Sequence, residues 1–236
     1  MSGRGFFQNP AGEARRLLGP VIPALAYLCA GWLLRAAGLS VPLVSAALLP
    51  PAALWYGVEA SRRGGSRPRA KEVPGITLRW LAAGCCLGCA TDWIARQLRP
   101  DAAAPGADLS ALAVFAVCLA GPLCEELVYR GLVQPRAAAL TRPRWAILAG
   151  AVLFAAGHGS PLEAVLALPA GLLFGYAAHR ERTLLAPALA HAAANAVQLA
   201  DGRAAAWIGG VSAAVLIVLW MMGFRRKGER VEGDSQ

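Results

Sequence analysis

Charge is scarce in this sequence, and so are long polar stretches. Only 16% of the 236 residues are Asp, Glu, Lys or Arg, whereas 57% are hydrophobic and the mean hydropathy is +0.48. Soluble globular domains carry about 25% charged residues, so this balance excludes an ordinary soluble domain. The chain is predicted to be a membrane protein.

The apolar runs predict an all-α, polytopic membrane helical bundle with about eight transmembrane helices. A helix needs about 20 mostly apolar residues to cross the hydrocarbon core of a bilayer. The predicted spans are residues 17–39, 41–58, 76–98, 110–133, 144–158, 162–178, 184–199 and 204–224. The fifth to seventh spans are short and rich in Ala and Gly, so a count of seven is the alternative.

The sequence also lacks a basic patch with interleaved aromatic residues, which argues against a nucleic-acid partner despite the net charge of +9. Cytoplasmic loops of membrane proteins carry excess Lys and Arg. If the N-terminus is inside, only Arg35, Arg96, Arg99 and Arg203 fall outside. We therefore predict a multi-pass protein with both termini cytoplasmic. The Ala-, Arg- and Gly-rich composition favours a bacterial cytoplasmic membrane.

The polar residues divide the chain into three parts. Residues 1–75 are predicted to form N-terminal transmembrane helices and a basic cytoplasmic loop. Residues 76–224 are predicted to be the core, with its motifs in residues 110–200, and residues 225–236 a disordered cytoplasmic tail. All six cysteines fall within predicted spans, where small apolar packing is their usual role and a disulfide framework is not expected.

Three charges interrupt the fourth span, in the stretch "CEELVYRG". One ionised side chain at a helix centre costs roughly 2.5–3.5 kcal/mol, so Glu125, Glu126 and Arg130 need partners or a watery cavity. Glu126 and Arg130 are four residues apart, with the acid first, which favours an intrahelical ion pair. Glu125 is turned about 100° away and faces elsewhere.

Two further motifs place polar side chains on one helical face. Phe154 and His158 in "FAAGH" are spaced i to i+4, as are His191 and Asn195 in "HAAAN". If the fourth helix runs past Gln134, an antiparallel hairpin with the fifth helix brings Glu125 to the same level along the helix axes as His158. A kink or stop at the following proline is the weak point of that prediction.

These residues can hydrolyse a peptide bond if they meet. A carboxylate beside an imidazole can act as a general base on water, which assigns that role to Glu125 with His158. His191 and the amide of Asn195 could then stabilise the tetrahedral oxyanion. The pair formed by Glu126 with its arginine would lock the helix. Taken singly, each motif also has a plain interpretation: a solvated helix cap, an interfacial histidine, or an interhelical hydrogen bond.

The three motifs together resemble the CPBP family, the glutamic intramembrane endopeptidases that process CAAX proteins and bacteriocins. Its signatures EExxxR, FxxxH and HxxxN are matched in that order, without substitution, over roughly residues 110–200. The resemblance implies that Glu125 and His158 activate water while His191 and Asn195 hold the oxyanion. It further implies a catalytic cavity open toward the cytosol, with Glu126, Arg130 and Phe154 in support.

The predicted partners are the lipid bilayer and a membrane-associated protein or peptide substrate, and no cofactor is expected. The substrate stays open between a prenylated C-terminus, a bacteriocin-like peptide and a C-terminal sorting tail. One alternative is a zinc protease, although the HExxH pattern is absent from the sequence. Another is a transporter or a non-catalytic immunity protein, although no inverted repeat is evident.

Overall fold

The structure is a computed structural model that describes residues 18–63, 73–99 and 110–199, and every regular element in these ranges is helical. The bounds of the seven helices in the described residues are α1 Val21–Ala36, α2 Val41–Arg63, α3 Val73–Leu98, α4 Ala111–Ala138, α5 Pro143–Ala156, α6 Pro161–Glu181 and α7 Leu185–Leu199. They correspond to the first seven predicted spans, which confirms the all-α prediction. The predicted eighth span and the tail lie outside the described residues.

Three of these helices, α2, α4 and α6, are long and apolar enough to cross a membrane, and α1 and α5 are shorter apolar helices. Large apolar side chains such as Trp32, Leu54 and Val165 are exposed on their surfaces. Exposed apolar side chains on long apolar helices suit contact with lipid. The chain is thus a membrane protein, while eight crossings and cytoplasmic termini stay predictions.

Local sequence signals fix where the helices begin. The Ser110 side chain accepts a hydrogen bond from the backbone N–H of Ala113 at 3.2 Å, capping α4. The Ser160 side chain caps α6 in the same way, and Pro143 and Pro161 occupy the first positions of α5 and α6. Such N-caps satisfy backbone N–H groups that have no partner within the helix. Proline at the first helical position sacrifices no hydrogen bond, because an N–H at that position has no acceptor within the helix. The short turn between α4 and α5 makes them antiparallel neighbours, as the hairpin prediction required.

Helix α4 does not end at the second of its two prolines. It continues through Pro135 to Ala138, so the helix runs past Gln134 as predicted. Proline has no N–H to donate to the carbonyl one turn earlier. That carbonyl, at Gly131, instead accepts a hydrogen bond at 3.1 Å from the guanidinium of Arg63, at the end of α2.

Two π-helical segments lie within α4, at Ala116–Ala120 and Leu127–Val133. They flank Glu125 and Glu126 on both sides. The π-helix is rare, appears mostly as single turns inside α-helices, and is frequent at functional sites. The predicted 3.6-residue periodicity of this span is therefore interrupted twice, once before and once after the two acidic residues.

Helices α3 and α7 pack closely against each other at a glycine of α3. A Cβ on Gly84 would collide with the backbone carbonyl of Ala190.

We therefore expect Gly84→Ala to lower the free energy of unfolding by about 1–3 kcal/mol, the usual cost of overpacking. A Cβ on Gly75, in the same helix, meets nothing within 4 Å. Gly75→Ala is the matched control, with a change below about 1 kcal/mol. Equal unfolding midpoints for the two variants would contradict this packing.

Candidate functional site

The buried centre of the bundle is the ion pair predicted from spacing. Arg130 Nη1 lies 2.9 Å from Glu126 Oε1, and both side chains are only 1% exposed. Arg130 Nη2 also donates to the carbonyl of Gly171 in α6 at 3.0 Å, and the guanidinium lies 4.6 Å from the ring centre of Phe154. The interpretation of the two glutamates as a solvated helix cap is therefore wrong for Glu126.

One imidazole contacts both glutamates. His191 Nδ1 lies 2.9 Å from Glu126 Oε1, and His191 Nε2 lies 3.7 Å from Glu125 Oε2. An ionised carboxylate only accepts hydrogen bonds, so Nδ1 carries a proton and donates it to Glu126. The His191 ring stacks on Phe174 of α6 at 4.6 Å between ring centres. Glu126 thus orients a histidine, besides pairing with its arginine as predicted.

Glu125 stands at the edge of this buried cluster. Its side chain is 25% exposed, against 1% for its neighbour Glu126. Its Oε1 lies 3.5 Å from the hydroxyl of Tyr27 in α1, at the outer limit of a hydrogen bond. Access from outside together with a facing imidazole is what a general base on water requires.

His158 lies just beyond the end of α5 and is partly buried. Its Nδ1 is 3.0 Å from the carbonyl oxygen of Phe154, one turn earlier. The Phe154 ring lies between the two histidines, with ring centres 4.9 Å from His158 and 5.7 Å from His191. Among the described residues, no hydrogen bond or ion pair joins His158 to Glu125.

The hydrogen bonds of the two histidines predict their tautomers. A carbonyl oxygen accepts only, so His158 carries its proton on Nδ1 when neutral and leaves the Nε2 lone pair free. We expect ¹⁵N NMR of histidine-labelled protein in detergent to show a protonated Nδ1 for both His158 and His191. The matched control is His179, near the end of α6. A neutral His158 with its proton on Nε2 would contradict this arrangement.

Asn195 belongs to the same helix as His191 but has a different partner. Its Nδ2 donates to the carbonyl of Val117 at 2.8 Å, in the first π segment of α4. No hydrogen bond between Asn195 and His191 occurs in the described residues. The amide is an interhelical contact, as the plain interpretation had it, and its second N–H makes no hydrogen bond within the described residues. It lines an open hollow with Val117, Gln198 and Leu199.

The predicted residues therefore form two groups. Glu125, Glu126, Arg130, Phe154 and His191 are in direct contact, and His158 joins them through the Phe154 ring. Asn195 is one helical turn further along α7. Within residues 18–63, 73–99 and 110–199, no three His, Cys, Asp or Glu side chains are grouped as metal ligands.

Several residues that contact the site were not predicted from the sequence. Phe174 stacks on His191, the Tyr129 ring lies 5.4 Å from Phe154, and Tyr27 contacts the exposed glutamate. Tyr129 lies within the EExxxR motif, and Phe174 is an aromatic residue in a helix otherwise rich in small residues, "PAGLLFGYAA". Those two signals were available. Nothing in the first span distinguished Tyr27 from a lipid-facing tyrosine.

Comparison with known proteins identifies the motif region. Residues 107–197 match the family model described as type II CAAX prenyl endopeptidase Rce1-like. No curated protein and no solved structure matches the chain. The match spans all three motifs and helices α4 to α7, and it agrees with the CPBP resemblance. Over residues 107–197, less than half of its length, this membrane protein is similar to Rce1-like endopeptidases.

Proposed function

We propose that the protein is an intramembrane endopeptidase that hydrolyses a peptide bond near the C-terminus of a membrane-associated protein or peptide. The observation that carries this proposal is the position of His191, which contacts both Glu125 and the buried Glu126 inside the Rce1-like domain. A carboxylate and an imidazole 3.7 Å apart, with the carboxylate partly accessible, leave a water within reach of both.

The proposed reaction begins with proton transfer from that water to Glu125, with the Nε2 lone pair of His158 assisting. The water oxygen adds to the peptide carbonyl carbon, and the carbonyl oxygen becomes an oxyanion. Collapse of this intermediate breaks the carbon–nitrogen bond, and the leaving amine takes the proton held by Glu125. The products are a free carboxylate and a free amine, so the reaction needs no redox partner.

His191 and Asn195 are proposed to stabilise the oxyanion. To donate from Nε2, His191 must carry protons on both nitrogens, and the bond from its Nδ1 to Glu126 holds the ring in place for that role. Asn195 has one N–H beyond the one bound to Val117. Donors held in place before reaction need no reorganisation as the charge develops.

The substrate is proposed to be a C-terminal tail, because the matching family model concerns CAAX endopeptidases. In a bacterial membrane, a sorting tail or a bacteriocin-like peptide fits better than a prenylated protein. The experiment is a comparison of membrane proteomes from cells that carry the wild-type chain or Glu125→Gln. We expect a longer precursor to accumulate only with the variant. Identical proteomes would contradict the peptidase proposal.

The reaction proposed above uses no metal ion. Zinc analysis of the purified protein is expected to give much less than one zinc per chain, and chelators are expected to leave peptide cleavage unchanged. Stoichiometric zinc, with activity that is lost on chelation and restored by zinc, would contradict the proposed mechanism. It would show that a metal ion, and not Glu125, activates the water.

A further inference from the structure

Helix α1 lies outside residues 107–197, yet it contributes a polar group to the proposed site. The hydroxyl of Tyr27 is 3.5 Å from Glu125 Oε1. Its ring packs edge-on against Tyr129 of α4, with ring centres 6.2 Å apart and an angle of 82° between the planes. A helix that carries none of the three motifs therefore contacts the proposed general base.

The next residue of α1 contacts the other side of the site. Leu28 lies against Gly157, where an added Cβ would be only 3.0 Å from Leu28 Cδ2. Gly157 directly precedes His158 and therefore helps to place that imidazole. Consecutive residues of α1 thus contact the segment that carries Glu125 and the segment that carries His158.

The two oxygens of Glu125 face different groups. Oε1 faces the hydroxyl of Tyr27, and Oε2 faces Nε2 of His191 at 3.7 Å. A phenol in a partly buried position usually finds a hydrogen-bond partner. Within the described residues, the only hydrogen-bond partner of the Tyr27 hydroxyl is the carboxylate of Glu125. Catalytic hydrogen bonds are often long before substrate binds and shorten in the complex.

We infer that Tyr27 is a positioning residue, whose hydroxyl donates to Glu125 Oε1 and so holds Oε2 toward His191 and the attacking water. This inference rests on the proposed role of Glu125 as general base. Packing against Tyr129 needs only the ring, whereas orienting the carboxylate needs the hydroxyl. Tyr27→Phe separates the two because it keeps the ring and removes the donor.

The activity test uses purified full-length protein in lipid vesicles and a farnesylated peptide with a C-terminal CAAX sequence as the probe. Tyr27→Phe is expected to lower kcat roughly 10- to 100-fold, the equivalent of one hydrogen bond to a charged group, with KM unchanged. The matched control is Tyr176→Phe, which removes an exposed hydroxyl bonded to Arg180. A kcat for Tyr27→Phe equal to that of the control, or a change in KM alone, would overturn the inference.

A second readout does not depend on cleavage of the probe. The infrared carboxylate band of Glu125 is isolated as the difference between spectra with and without Glu125→Gln, in the wild-type and Tyr27→Phe backgrounds. Loss of the hydrogen bond is expected to shift this band, whereas an unshifted band would overturn the inference. If the wild type leaves the probe intact while the band shifts, a prenylated CAAX tail is excluded as substrate and the positioning contact stands.

Discussion

Replacing Arg130 with alanine is expected to lower the free energy of unfolding by about 3–5 kcal/mol, the range measured when one partner of a buried pair is removed. The variant removes the charge that pairs with the carboxylate of Glu126, which is 1% exposed and keeps only the hydrogen bond from His191 among the described residues. It also removes the hydrogen bond to the Gly171 carbonyl and the contacts with the Phe154 ring. Denaturant unfolding of the detergent-solubilised protein measures the change.

Two variants show whether burial of the pair is responsible. Arg180→Ala removes a half-exposed arginine whose contact with Glu181 is 3.5 Å, and should cost less than about 1 kcal/mol. Arg130→Lys keeps the charge but loses the forked donor geometry, so it cannot serve both Glu126 and Gly171, and should fall between the two. Equal losses for Arg130→Ala and Arg180→Ala would contradict this account.

Replacing Glu125 with glutamine is expected to lower kcat roughly 10²–10⁴-fold, the usual contribution of general acid–base catalysis. The amide keeps the shape of the side chain but cannot take a proton from water. The fold should persist, because Glu125 is the accessible member of the pair and makes no contact shorter than 3.5 Å with Tyr27 or His191. Cleavage of a peptide probe in vesicles measures the rate.

The control for that variant is Glu163→Gln, an exposed glutamate in the first turn of α6. It should retain full activity, since only its backbone N–H takes part in the helix cap described above. Cleavage by Glu125→Gln at the rate of this control would remove Glu125 from the mechanism, whatever the geometry of the cluster.

Spacing along single helices predicted part of the site. The i to i+4 rule places Glu126 beside Arg130 and Phe154 beside His158, because both pairs depend only on the helical repeat. Apolar length likewise predicted the first seven helices. These features follow from interactions between residues close in sequence, which is why they could be predicted.

Contacts between helices could not be predicted from the sequence. The bond from His191 to Glu126 depends on how α7 is rotated against α4, and the two π segments interrupt the regular repeat of α4 without a recognisable residue pattern. The contribution of Tyr27 has the same origin, since packing of α1 against α4 determines which tyrosine reaches the site. Small residues such as Gly84 permit the close approach but do not specify its register.

The most direct measurement of the proposed chemistry is a single-turnover cleavage of a peptide probe in H₂¹⁸O, with enzyme in excess and the products analysed by mass spectrometry. Direct attack by water held between Glu125 and the imidazoles predicts one ¹⁸O atom in every new carboxylate, and product formation roughly 10²–10⁴-fold slower with Glu125→Gln. A new carboxylate without ¹⁸O would show that a carboxylate side chain of the protein attacked the peptide first and gave its own oxygen to the product, and would contradict the account.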